Sequence, residues 1–505
     1  MAKAIMLQGT GSDVGKSVLC TAFCRYFFEE GYQVAPFKSQ NMALNSAITA
    51  DGGEIGRAQC VQAEAAGIEP TVHMNPILLK PKGDMISEVI VHGRHYADME
   101  ASAYRGSVLE KALPAVRWSL SILSEAFEVL VIEGAGSPAE INLKDRDIAN
   151  MRVAELADAP VILVGDIERG GVFASLVGTL ELLDPDERAR VKGFIINKFR
   201  GKRELLDPGI EWLERRTGIP VLGVVPYLET GIDPEDSLTL ESLRLKMPAS
   251  REFVDITVIR LPRISNFTDF LPLADAPDVR LRYVQSAKEM GDPDAVILPG
   301  TKNTVEDLAW LRASGLAEYI QRLRNQCAEI VGICGGYQML GRTLHDPDGV
   351  ESHPGVHPGL GMLDIRTHFI PDKRTVRASG ETLIKWARGV PVSGYEIHMG
   401  RTERGTDASP VLQWADGRLD GAVSVDGSVW GTYLHGLFDN GAFTHAWINR
   451  LRGKKGLPPR SEEYLGLRAD RDVIYARLSR WIREYVDMER VKQIMGLSVC
   501  TESVE

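Results

Sequence analysis

Residues 329–341, EIVGICGGYQMLG, hold a cysteine between glycines at the end of an apolar run. In this G-x-C-x-G frame Gly332 and Gly336 permit the tight strand-to-helix turn that presents a nucleophile, Cys334, at a sheet's C-terminal edge. A helix beginning just after the thiol turns its positive end toward it and favours the thiolate. The N–H of Gly335 then faces a developing oxyanion, and Gly300 in LPGTKNT (298–304), a second glycine loop after a strand, is the other expected donor. A thiolate that attacks an amide needs a base. His435 in GTYLHGLF also ends an apolar run, and Cys followed by a distant His is the order of a spatially assembled dyad. The cysteines at 20, 24, 60, 327 and 500 lack such a frame and read as small buried hydrophobes. Cys20 and Cys24 share helical spacing, but no second ligand pair makes a metal site.

The other reactive stretch opens the chain. IMLQGTGSDVGKSV (5–18) runs from a strand pattern into a helical one, the setting a phosphate loop requires. Gly9, Thr10, Gly11, Asp13, Val14 and Gly15 form the wrap of backbone N–H groups, and Lys16 supplies the positive charge. Ser17 is placed to hold Mg²⁺. The match to G-x-x-x-x-G-K-[ST] is imperfect, because Thr10 stands where the first glycine belongs. In VIEGAGSP (131–138) Glu133 ends a strand near where phosphates must lie, and the following Gly-Ala-Gly lets backbone approach a ligand. VGDIERGG (164–171) puts Asp166, Glu168 and Arg169 on the same expected sheet edge, as a loop ion pair or as ligand groups.

The elements that must position these groups are legible as apolar runs. AIMLQ, VLVIEG, VILVGD, GFIINK and VLGVVP, all before residue 227, are each bounded by Gly, Pro or polar residues, as strands buried on both faces are. Between them KSVLCTAFCRYFFEEG places Val18, Leu19, Ala22, Phe23, Tyr26 and Phe27 on one helical face, with Gly31 as the stop. A βαβ series of this kind predicts an α/β domain with a parallel sheet over residues 1–235. Turn and charge signals over 229–252 mark a linker. A second series, DITVIRL, DAVILPG and EIVGIC, begins a second parallel-sheet α/β domain over 250–445. Residues 446–505 read as a helical C-terminal extension.

The bulk numbers bound the class. A chain of 505 residues exceeds one core. Its 44% hydrophobic and 25% charged residues are ordinary for a globular protein, and its formal net charge is −11. The densest basic stretch, RGKKGLPPR (452–460), reads as a solvated turn, so no nucleic-acid partner is expected. No run of about 18 apolar residues exists to span a membrane. The N-terminus lacks a signal-peptide pattern, and six cysteines without a disulfide framework suit a reducing compartment, so a cytoplasmic protein is expected. The oligomeric state is open.

With these residues in view, two resemblances emerge. G-T-x-x-x-V-G-K-[ST] resembles the loop of dethiobiotin synthetase, which implies a P-loop NTPase-like fold that uses ATP to activate a carboxylate. It implies Ser17 and Glu133 as Mg²⁺ ligands. NKF (197–199) and VVPY (224–227) match the places where that fold reads adenine, with Asn197 as the hydrogen-bonding candidate. LPGTKNT, GICGGYQMLG and GTYLHGLF resemble a class I glutamine amidotransferase domain, flavodoxin-like in fold, and put Gln338 at the glutamine-pocket position. Most such domains carry, two residues after the His, a Glu that orients it. Here that residue is Leu437, and Glu396 or His398 in SGYEIHMG (393–400) is a candidate replacement.

Together with APFKSQNMALNS (35–46), these motifs make nearly the whole chain similar to the cobyric acid synthase family of cobalamin biosynthesis. The resemblance implies glutamine- and ATP-dependent amidation of the b, d, e and g carboxylates of adenosylcobyrinic acid a,c-diamide, with a corrinoid substrate. Two alternatives stay open. The cobyrinic acid a,c-diamide synthases share the two-domain plan, and a non-catalytic partition-type ATPase with a decayed amidotransferase tail would keep only the phosphate loop.

Overall fold

The computed structural model describes residues 2–83, 86–100, 109–232, 248, 252–461 and 471–497. The linker expected over 229–252 lies largely outside these residues, as does Cys500. In the first half six strands lie side by side in the order Val221–Pro226, Val191–Phe199, Val161–Asp166, Lys3–Gly9, Val129–Glu133 and Val34–Phe37, all parallel. Each inner strand is apolar on both faces because helices cover both; every residue of Val129–Glu133 is buried. Pro36 is confined to an edge strand, where its missing N–H breaks no ladder. The first strand lies inside the sheet between the third and fourth in chain order. Its C-terminal end is therefore where crossovers part to either side and leave a crevice.

Helix Lys16–Glu29 buries Leu19, Phe23, Tyr26 and Phe27 together with Cys20 and Cys24, and ends where Gly31 turns to φ 89°. Between the second and third strands of this sheet the chain inserts a smaller sheet. Strands Gln40–Met42, Ile77–Gly83, Ile86–Val91 and Arg94–Glu100 pair in that order.

The second half is built on a mixed sheet. Strands Val279–Val284, Val254–Ile259, Ala295–Leu298, Glu329–Ile333 and Val429–Thr432 are parallel, and Ala422–Ser424 and Ala408–Ser409 extend one edge antiparallel. A separate sheet of this half carries a long antiparallel pair, Ile365–Thr382 with Pro391–Arg404, which reaches the first half. There Thr375 Oγ1 donates to Gly52 O (2.9 Å), Arg377 Nε to Ile48 O (2.9 Å) and Tyr395 Oη to Ser46 O (3.1 Å).

The C-terminal helices divide between the halves. Helix Gly441–Lys454 crosses the boundary expected at 445, and its Phe443, Trp447, Ile448 and Leu451 enter the second core. Helices Arg471–Tyr485 and Met488–Met495 return to the first half, where Leu478, Ile482 and Val491 pack with Phe23 and Phe27. Their amphipathic faces find apolar surface on the first helix, so they complete the first core instead of hanging from the second. Cys327 also departs from expectation. It is exposed, in the turn after helix Leu316–Asn325 at φ 73°, because the chain must reverse there before strand Glu329–Ile333. Among the described residues no helix is long and apolar enough to cross a membrane.

Candidate active site

The phosphate loop leaves strand Lys3–Gly9 and enters helix Lys16–Glu29 through Gly15, whose φ of 96° belongs to the left-handed region. A Cβ there would also stand 2.2 Å from the amide nitrogen of Asn197, so glycine is required twice over. Asn197 lies near the end of strand Val191–Phe199, and its Nδ2 donates to Val14 O (2.8 Å). The residue expected at the adenine thus ties the phosphate loop to a strand two places along the sheet. Lys16 Nζ lies across the loop, donating to Gly11 O (2.8 Å) and Gly136 O (3.1 Å). Ser17 Oγ donates to Glu133 Oε1 (2.8 Å), so the two residues expected to share a cation meet where the first turn of helix Lys16–Glu29 faces the end of strand Val129–Glu133.

Glu133 is buried, and its charge is matched. Lys38 Nζ is 2.9 Å from Oε1, and Gln62 Nε2 donates to Oε2 (2.6 Å). Lys38 comes from the APFKSQNMALNS stretch, and two more of its polar side chains are spent inside the protein. Ser39 Oγ donates to Ile148 O (2.6 Å) and Asn41 Nδ2 to Gln59 Oε1 (3.0 Å). The groups of VGDIERGG form loop ion pairs: Asp166 with Lys198 (3.0 Å) and Glu168 with Arg200 (3.0 Å). Arg169 reaches toward Asp13 at 3.9 Å.

In the second half the elbow forms as its glycines predict. Cys334 sits between strand Glu329–Ile333 and the short helix Gly335–Met339 at φ 52°, ψ −110°, a conformation a non-glycine residue holds only under constraint. Its N–H donates to Thr432 O (2.9 Å), and Gly336 N–H donates to Pro299 O (3.0 Å). A Cβ on Gly336 would fall 1.9 Å from Leu298 O, so that close approach depends on glycine. Gly300 stands against the base, because a Cβ there would meet His435 Cε1 at 3.1 Å. Gln338 is buried and clamped, accepting from Thr304 Oγ1 (3.0 Å) and donating to Tyr433 Oη (3.1 Å). Cys334, Gly335, Gln338 and His435 line one cavity of ≈ 50 Å³.

The orienting group for His435 is one the sequence did not indicate. Asp269 Oδ2 lies 2.6 Å from His435 Nδ1, and Asp269 Oδ1 accepts from Gly436 N–H (3.1 Å). Asp269 is buried in the turn Phe267–Phe270, 166 residues before the histidine. Tyr395 stacks on the imidazole with centroids 5.2 Å apart, and the two backbones exchange hydrogen bonds of 2.9 and 3.2 Å. With Nδ1 committed to Asp269, Nε2 is the nitrogen left to serve the thiol of Cys334. Burial pulls the imidazole toward neutral, but the Asp269 carboxylate and Cys334 outweigh it, and the pKa is pushed up to about 10. The residues expected to orient His435 are engaged elsewhere. Glu396 is bound by Arg374 (2.9 Å) and Arg418 (3.1 Å), and His398 Nδ1 is 2.7 Å from Gly400 O. A buried thiol, an imidazole poised by a carboxylate and a glycine-framed loop are the parts of amide cleavage by a nucleophilic cysteine.

Known families match both halves of the chain. Residues 5–237 match the model of the CobQ/CobB/MinD/ParA nucleotide binding domain, and residues 255–443 match that of the CobB/CobQ-like glutamine amidotransferase domain. The cobyric acid synthase of Desulforamulus reducens is 54% identical over 98% of this chain and 99% of its own length. That of Geobacillus kaustophilus is 50% identical over 99% and 100%, and that of Klebsiella pneumoniae strain 342 is 51% identical over 98% of each.

Proposed function

The chain belongs to the cobyric acid synthase family, and from that premise we propose that it amidates the b, d, e and g carboxylates of adenosylcobyrinic acid a,c-diamide. Each amidation consumes one glutamine and one ATP, and the product is adenosylcobyric acid in cobalamin biosynthesis. The observation that carries this reading is the coexistence of two assembled sites in one chain. Ser17 meets Glu133 at a phosphate loop, and Cys334 shares a cavity with a carboxylate-oriented His435.

In the amidotransferase half the Cys334 thiolate attacks the glutamine carboxamide, with His435 Nε2 carrying the proton and Asp269 holding Nδ1–H. N–H donors of Gly335 and Gly300 are the expected partners of the oxyanion. His435 gives its proton to the departing ammonia, and water then cleaves the thioester to release glutamate. In the nucleotide half a substrate carboxylate oxygen attacks the γ-phosphorus of ATP. ADP leaves, and an acyl phosphate remains. Ammonia adds to the acyl carbon, and inorganic phosphate leaves with the C–O bond electrons. Lys16 draws charge from the γ-phosphate, and catalysis there is positional and electrostatic.

The donor set suits Mg²⁺. It offers a hydroxyl and a carboxylate, hard oxygens in contact with each other, and among the described residues no cluster of three His, Cys, Asp or Glu competes for a softer ion. Ser17 and Glu133 would hold the ion, which when bound neutralises charge on the β- and γ-phosphates. Lys38 pairs with the Glu133 oxygen that also faces Ser17.

Incubation of the a,c-diamide with ATP, Mg²⁺ and glutamine, followed by mass spectrometry, tests the reading. Four added amides are expected. Amidation of unamidated cobyrinic acid at only two positions would assign the chain to the a,c-diamide synthases instead. ATP turnover without glutamate release would leave only a partition-type ATPase.

A further inference from the structure

Beside Cys334 and Gln338, the cavity is lined by three lysines, Lys80, Lys302 and Lys373, and by Glu351. The lysines come from different parts of the molecule. Lys80 belongs to strand Ile77–Gly83 of the nucleotide half, Lys302 to the loop that carries Gly300, and Lys373 to the long strand Ile365–Thr382. Two buried glutamates of the nucleotide half bridge them. Glu54 contacts Lys80 (2.6 Å) and Lys373 (2.7 Å), and Glu88 contacts Lys373 (2.9 Å) and Lys302 (2.6 Å). Glu351 accepts from Thr304 N–H (2.7 Å).

The cavity wall is divided by charge type: three lysines share the two bridging carboxylates Glu54 and Glu88, while the third carboxyl, Glu351, is held by backbone at Thr304. The glycine-rich elbow explains how an amide is cleaved, but it leaves this cluster without a use. An amino acid whose side-chain amide reaches Cys334 has an α-carboxylate and an α-ammonium to place in the remaining space.

We infer that Lys80, Lys302 and Lys373 seat the α-carboxylate of glutamine and Glu351 its α-ammonium, so that the nucleotide half completes the glutamine pocket. The inference rests on the glutaminase reading above. It goes further by giving the free amino-acid end of glutamine a site at the seam between the halves, and by making glutamine use depend on how the halves are joined.

The test compares L-glutamine with L-glutamine α-methyl ester, in the full chain and in Lys302→Met and Lys80→Met. Ammonia-dependent amidation, which needs no glutamine, reports the fold of the same preparations. The full chain should discriminate against the ester. In each variant KM for glutamine should rise roughly tenfold to a hundredfold, the range of a lost charged hydrogen bond, with kcat less affected. The preference over the ester should shrink by a similar factor. Unchanged KM in variants that retain ammonia-dependent amidation would overturn the inference. If the variants lose both activities, the full chain decides: use of the ester as efficient as that of glutamine overturns the seat, and strong discrimination supports it. Failure of the glutaminase reading has a different signature, glutamine hydrolysis that survives Cys334→Ser.

Discussion

At the scale of single residues, the decisive feature is how His435 is held. Its Nδ1 meets Asp269 at 2.6 Å, and its ring lies against Tyr395. The imidazole is therefore kept in one orientation and made more basic. Asp269→Asn should lower glutaminase kcat roughly a hundredfold or more, the scale of a positioned acid–base group, while ammonia-dependent amidation persists. The variant should also move the alkaline limb of the glutaminase pH profile to lower pH, because it removes the Asp269 charge that raises the imidazole; a profile that stays in place would deny Asp269 this role. The sign for stability follows. His435 rises from 6.5 to about 10 on folding, so its contribution is present in full below pH 6.5 and is lost as the pH climbs toward about 10. Thermal unfolding of native and variant chains across that window measures it. Asp269 could not be read from the sequence: no fixed spacing ties NFTDF to YLHG, and only the fold brings them together.

At the scale of elements, local geometry and packing each carry a test. The elbow depends on Gly336, where even a methyl would collide with the Leu298 carbonyl at 1.9 Å. Gly336→Ala should therefore displace Cys334, abolish glutamine use and lower the melting temperature. Full glutaminase activity in that variant would show the elbow to be less constrained than its geometry. The docking of helix Arg471–Tyr485 is testable separately. Leu478 is fully buried against the first core, so Leu478→Ala should cost about 2–5 kcal/mol of stability, read by denaturant unfolding. The sequence disclosed the parallel strands well, because strands buried on both faces write themselves as unbroken apolar runs. The small inserted sheet was less visible, since its outer strand Arg94–Glu100 is mostly exposed and polar. A signal did exist in VHGR, where His92 and Gly93 both take positive φ in a tight hairpin.

At the scale of the whole molecule, two chemistries share a chain and should be separable. Cys334→Ser should abolish glutamine-dependent amidation and spare amidation by added ammonia. Lys16→Ala should abolish both, because the carboxylate is no longer activated. Product mass under each nitrogen source measures the difference, and a Cys334→Ser enzyme that still uses glutamine would refute the assignment of the nucleophile. The halves are joined by charge as well as by backbone contact, since Lys302 and Lys373 of one half are held by Glu54 and Glu88 of the other.

The sequence alone determined the groups whose geometry is local. A phosphate loop, a cysteine elbow and their flanking strands are each specified within about a dozen neighbouring residues, by glycines that only certain turns require and by apolar runs that only a buried sheet accommodates. Tertiary structure decided what depends on long-range packing: the Asp269 partner of His435, the return of residues 471–497 to the first core, and the meeting of Lys80 with Lys302 and Lys373 around one cavity. These contacts bridge residues far apart in the chain. No local pattern encodes them, and they exist only where separate buried faces are brought together.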